Sequence, residues 1–166
     1  MQNIKQLMLS YASYHRDPRN KATHFVGVPL IVYALFVALS WLHIDFVDKL
    51  PVPVTGATIF FAASIAYYLR LDLLLTFIQL PFSLALLFLA EKTALLPFQT
   101  ALTLFLASFI GGWIIQLIGH YFEGKKPALA DNIMQVFNAP LFLAMEIAFA
   151  IGLRSDLRRD IEASKP

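Results

Sequence analysis

Residues 93–122 read TALLPFQTALTLFLASFIGGWIIQLIGHYF and contain no Asp, Glu, Lys or Arg. A helix needs about 20 predominantly apolar residues to cross a bilayer core, and this stretch exceeds that length. Working outward, 73–90, 50–69 and 22–44 are equally free of these charges. A surface helix of a soluble protein keeps a charged face opposite its apolar stripe. Four consecutive stretches without one leave almost no surface for water. Composition agrees: the chain is 58% hydrophobic and 14% charged, where soluble domains carry about 25% charged residues. The fold class expected is an all-α polytopic membrane bundle, formed as a single domain over 1–166.

Punctuation places the spans. Phe25–Trp41 reads as the first, with Pro29 in its first turn or so. The Leu50-Pro51-Val52-Pro53 segment reads as a loop before a second span, Val54–Leu69, and Arg70 and Asp72 mark a tight turn. Leu73–Ala90 is the third span, expected to kink at Pro81. The fourth runs from Pro97 to Phe122, long enough to tilt or emerge from the bilayer. A fifth apolar stretch, 132–153, contains Glu146 and Ala139-Pro140. A carboxylate is costly in a lipid-facing span and proline interrupts a helical ladder, so a re-entrant or interfacial last helix is expected.

Basic residues orient the bundle. Lys5, Arg16, Arg19 and Lys21 precede the first span, Lys125 and Lys126 follow the fourth, and Arg154, Arg158, Arg159 and Lys165 lie in the tail. Four spans put all three groups on one side, the cytoplasm, with both termini there. Net charge is only +2, no nucleic-acid motif is visible, and no nucleic-acid partner is expected. The absence of cysteine excludes disulfides, thiolate metal sites and Cys nucleophiles. The first 20 residues show no signal peptide, and no phosphate loop, serine nucleophile elbow or zincin signature occurs.

The chemistry-bearing residues are few. Of the four histidines, His15, His24 and His120 fall at the cytoplasmic ends of spans one and four, whereas His43 lies one helix length away, about 28 Å at 1.5 Å per residue. His43 is expected to be a plain interfacial residue. His120 and Glu123 share a helix face at i, i+3. Imidazole and carboxylate together suit non-haem iron with open positions, while the plainer reading is a helix-end hydrogen bond. Pro18 puts His15 and His24 on different elements. Arg16, Arg19 and Lys21, with Asn20 among them, could bind a carboxylate head group or simply anchor on anionic lipid. Asp131 and Asn132 read as a helix cap or as partners behind a ligating histidine. Glu146 is a further possible carboxylate ligand, or a partner for Arg or Lys.

Two stretches carry a resemblance. One is Tyr14-His15-Arg16-Asp17-Pro18-Arg19-Asn20-Lys21-Ala22-Thr23-His24, continuing to Pro29-Leu30. The other is Gly119-His120-Tyr121-Phe122-Glu123-Gly124-Lys125-Lys126-Pro127-Ala128-Leu129, continuing through Asp131-Asn132 to Ala139-Pro140-Leu141-Phe142. Together, in order and across essentially the whole chain, they resemble the Mpo-type family. That resemblance implies an Fe(2+)-dependent dioxygenase using O2 on 2-hydroxy fatty acids, releasing CO2 and an acid one carbon shorter. It implies His15, His24 and His120 as the catalytic, iron-binding set, with Glu123 a further candidate metal ligand. It implies residence in membrane lipid: the endoplasmic reticulum in a eukaryote, the inner membrane in a bacterium. From the residues alone, two rivals stay open, a non-enzymatic lipid-binding or scaffolding membrane protein and a zinc-dependent lipid hydrolase.

Overall fold

The computed structural model describes residues 4–43, 54–127 and 136–164. They form seven helices: α1 (Ile4–Ala12), α2 (Pro18–Ser40), α3 (Gly56–Leu71), α4 (Leu73–Ala94), α5 (Phe98–Glu123), α6 (Asn138–Ala150) and α7 (Ser155–Ala163). Among the described residues α2, α4 and α5 are long and apolar enough to cross a membrane. Their outward side chains support that reading, since Phe77, Phe88 and Phe98 are each more than 60% exposed. Such a surface is a liability in water and the normal one in lipid. The expected second span is a shorter helix, the 16 residues of α3, and α6 has 13.

Local chemistry sets the boundaries. Asp17 caps α2, its side chain accepting from the Arg19 backbone N–H at 2.8 Å, and Pro18 follows at the first helical position. Proline is favoured there because that N–H has no intrahelical partner. The first span therefore begins seven residues before the expected Phe25, and Pro29 sits in the helix interior instead of near its start. Thr55 and Thr58 form a reciprocal cap on α3. Asp72 ends α3 and caps α4, accepting from Leu75 N–H at 3.0 Å. Gly124 ends α5 with φ +67, a left-handed conformation that glycine adopts without strain.

α2 is the axis of the bundle, packing on α3, α4, α5 and α6, most extensively on α5. Small residues make that seam close. A Cβ added at Gly112 would lie 3.1 Å from the Gly27 carbonyl and 3.2 Å from the Ile31 amide; one at Gly27 would lie 3.0 Å from the Gly112 carbonyl. Without a hydrophobic drive between helices in lipid, such backbone approach supplies the packing energy.

α6 corrects one expectation. Pro140 does not break it, because it falls in the first turn of Asn138–Ala150, where no hydrogen bond is lost. Leu141, Phe142, Leu143, Ala144 and Met145 are all buried, in one core with Ile4, Leu7, Met8 and Tyr11 of α1. Those α1 residues repeat at i, i+3, i+4 and i+7, one helical stripe. Glu146 is partnered by Lys21 at 2.6 Å. Arg154, in a left-handed conformation, pairs with Asp72 at the α3–α4 turn, and Lys5 pairs with Asp160 at 2.8 Å. Both ends of the described chain therefore lie at the same end of the bundle.

The seam generates a prediction. Gly112→Ala should lower the thermal stability of detergent-solubilised protein, by about 1–3 kcal/mol as overpacked cores lose. Gly111→Ala should not, since a Cβ there meets nothing within 4 Å. Equal melting behaviour of the two variants would contradict the close α2–α5 approach.

Candidate metal centre

Three elements meet at the end of the bundle where both ends of the described chain lie. His15 sits in the turn after α1, its backbone N–H bonded to the Ala12 carbonyl. His24 lies in the second turn of α2 and His120 in the last turn of α5. All three side chains are buried, and one ring nitrogen from each falls within 4.8 Å of the others. Topology thus does bring together the three histidines singled out in the sequence. His43 lies exposed at the other end of α2.

The hydrogen bonds of two rings fix their tautomers. His15 Nδ1 lies 2.7 Å from the Tyr11 carbonyl, and His24 Nδ1 lies 2.9 Å from the Asn20 carbonyl. A carbonyl only accepts, so each Nδ1 carries the hydrogen and each neutral ring presents a bare lone pair at Nε2. Those two Nε2 atoms face one another at 2.9 Å. Two neutral acceptors at that distance repel unless a cation lies between or beside them. A proton is disfavoured: burial, then the charge of neighbouring His24, pushes the His15 imidazole down to about 3 from the usual 6.5. A metal ion fits better, since nitrogens bound at about 2.1 Å and at right angles to one another stand about 3 Å apart. His120 adds a third donor, its buried Nδ1 having no hydrogen-bond partner among the described residues. Tyr11 stacks on the His15 ring, centroids 4.2 Å apart and planes within 6°. The donor set therefore fits a first-row metal held by neutral imidazoles, with carbonyls orienting two of them.

Glu123 is placed beside this group and is otherwise engaged. Its two oxygens each accept from the Arg16 backbone N–H at 2.9 Å, and Oε2 also accepts from Asp17 N–H at 2.8 Å and Asn20 Nδ2 at 3.1 Å. The carboxylate thus clamps the end of α5 to the His15 turn and the start of α2, where a helix N-terminus favours negative charge. Asn20 extends the clamp by donating to the Tyr14 carbonyl at 3.1 Å. The i, i+3 spacing of His120 and Glu123 reads equally well as two ligands or as one ligand and its brace, and the backbone geometry corresponds to the brace.

The basic residues of the same stretch have partners of their own. Arg16 donates to the Ser164 carbonyl at 3.2 Å. Arg19 pairs with Asp17 at 2.8 Å and lies over the Phe122 ring. Lys21 holds Glu146. Asp131 and Asn132 lie outside the described residues. One polar residue was not singled out in the sequence: Gln116, buried, one helical turn before His120 on the same face. Its signal was present, an amide at i−4 from His120 in a charge-free span. It lines a cleft that also takes in His15, His24, His120, Val28 and Trp113, an apolar slot with the imidazoles at one end.

A helical membrane protein with a buried three-histidine metal-type site beside an apolar cleft is the class that fold and site define. The family described as 2-hydroxy-palmitic acid dioxygenase Mpo1-like matches residues 1–151, and the chain belongs to it. The 2-hydroxy-palmitic acid dioxygenase MPO1 of Saccharomyces cerevisiae is 32% identical over 159 residues, which cover 92% of this chain and 86% of the yeast protein. No solved structure matches the chain.

Because the Glu123 carboxylate accepts from Arg16 N–H, Asp17 N–H and Asn20, Glu123→Gln is expected to weaken metal affinity by about 10–100-fold, as loss of an outer partner does, without abolishing binding. Metal titration of purified protein checks this. Complete loss in a folded variant would make the carboxylate a direct ligand.

Proposed function

We propose that this chain is an iron-dependent dioxygenase of 2-hydroxy fatty acids, acting within a membrane. The single observation that carries the reading is the pair of bare Nε2 lone pairs facing each other in a buried site, with His120 beside them. The dioxygenase named for the yeast relative supports the reaction, and the apolar cleft supports a long-chain substrate.

The reaction balances without a further reductant. A 2-hydroxy acid and O2 give the acid one carbon shorter, CO2 and water; the C1–C2 bond breaks, C2 rises to the carboxyl level, and O2 takes up the electrons. Iron(II), when bound, supplies O2 binding and electron exchange. His15, His24 and His120 would hold it as neutral imidazoles, leaving positions for O2 and substrate. Bound orientation is the protein's own contribution. Val28, Ile31 and Trp113 shelter the acyl tail and exclude water. Gln116, one turn from His120, is placed to hydrogen-bond the polar head as it reaches the imidazoles. Arg16, Arg19 and Lys21, in the stretch between His15 and His24, are the cations a substrate carboxylate would meet, and fully buried Asn20 would act behind them by holding Glu123. Asp131 and Asn132 are carried as outer partners.

The assay is iron per chain together with O2-dependent shortening of a 2-hydroxy fatty acid. His15→Ala, His24→Ala and His120→Ala should each strip or greatly weaken iron binding and abolish turnover. His43→Ala should retain both. Full iron and full turnover in all three site variants would sink the proposal.

Orientation has its own test. We place both termini on the cytoplasmic side, from the positive-inside bias. The chain has no native cysteine, so Ser10→Cys and Ser164→Cys should each react with an impermeant maleimide from the cytoplasmic face alone. Labelling from the opposite face would reverse the assignment.

A further inference from the structure

A second cleft lies between α2, α4 and α6. Val28 and Val32 line both this cleft and the one at the histidines, so the two meet across that wall of α2. Phe25, Phe82 and Ile147 line its mouth and are more than 40% exposed on the lipid-facing surface. Among the described residues no charged or histidine side chain lines it. Its polar side chains are Gln79 and Ser83, one helical turn apart on α4.

Gln79 is only 5% exposed. Its Oε1 accepts from the Ser83 hydroxyl, and its Nε2 is buried with no hydrogen-bond partner among the described residues. Gln79 lies about 10 Å along α4 from the Asp72 cap, at 1.5 Å per residue, inside the apolar window of a helix long enough to span. An amide donor in hydrocarbon without an acceptor is strongly unfavourable. Such a group in an open cleft needs a partner that arrives from the lipid.

We propose that this cleft is a second lipid site, taking an uncharged long-chain molecule whose carbonyl or hydroxyl oxygen accepts from Gln79 Nε2. The chemistry is set by exclusion. The Ser83 hydroxyl is already spent on Oε1, so the site offers a donor and asks for an acceptor. The lack of a cation in the lining excludes a fatty carboxylate, which would bury an uncompensated charge. A pure hydrocarbon would fill the apolar walls and leave the amide unsatisfied. The site is therefore distinct in ligand class from the one at the histidines, and it does not depend on a metal.

The test uses the full chain in phosphatidylcholine vesicles. The probe is a long-chain ketone with a diazirine in its tail, and the competitors are the unlabelled ketone and an alkane of equal length. Photoadducts should concentrate on the walls of this cleft, at Phe82 and Leu143. The ketone should displace the probe about tenfold better than the alkane, the ratio that one net hydrogen bond supplies. Gln79→Leu, of similar volume and without the amide, should erase that ratio while adducts with the hydrocarbon tail persist. Equal competition by alkane and ketone on the native chain would overturn the proposal. So would adducts spread evenly over the exposed faces of α3 and α5, or a Gln79→Leu variant that keeps the ketone preference.

Discussion

The Tyr11 and Asn20 carbonyls hold the hydrogens of His15 and His24 on Nδ1, and so force two lone pairs to point at one another at 2.9 Å. The rest of this end of the molecule is arranged around that constraint. Burial withholds the proton that would otherwise relieve it. Stacking on Tyr11 keeps the His15 ring from turning away, and the Glu123 clamp keeps the turn carrying His15 against α2 and α5. Left without a cation, such an arrangement is repulsive; with one, every donor is used.

The bilayer explains how so few polar residues suffice. The helices present phenylalanine and leucine outward, and the small-residue seam of Gly27 and Gly112 lets α2 and α5 approach closely. Charged groups among the described residues gather at the helix ends, and the three site histidines lie at one of those ends, while Gln79, Ser83 and Gln116 are buried polar groups within the long helices. An acyl chain can lie among the helices while its head stands at the histidine end. The same chain provides two clefts, one ending in imidazoles and one in a single amide, and the chemistry at each end distinguishes what each accepts.

Much of this was legible in the sequence because apolar length and charge-free runs are strong signals. The limits of α4 and α5 fall close to those read as Leu73–Ala90 and Pro97–Phe122, and the convergence of three histidines follows from helix order. What was not legible depends on local capping and tertiary partners. The polar run around Pro18 reads as a turn, yet Asp17 and Pro18 start α2, so Pro29 moved to the interior. α1 is a single short stripe among polar residues, too brief to stand out until α6 covers it. Pro140 reads as a breaker from its identity and is harmless from its place in the first turn. Glu123 is the sharpest case: spacing puts it beside His120, but only the backbone amides of Arg16 and Asp17, more than a hundred residues away, show what it holds.

X-ray absorption at the iron edge on purified, turnover-competent protein tests the central claim most directly. One iron per chain with three imidazole nitrogens in its inner shell is the result expected, and that shell should lose an imidazole in His120→Ala. A fully active protein with no iron, or an iron shell without imidazole scattering, would contradict it.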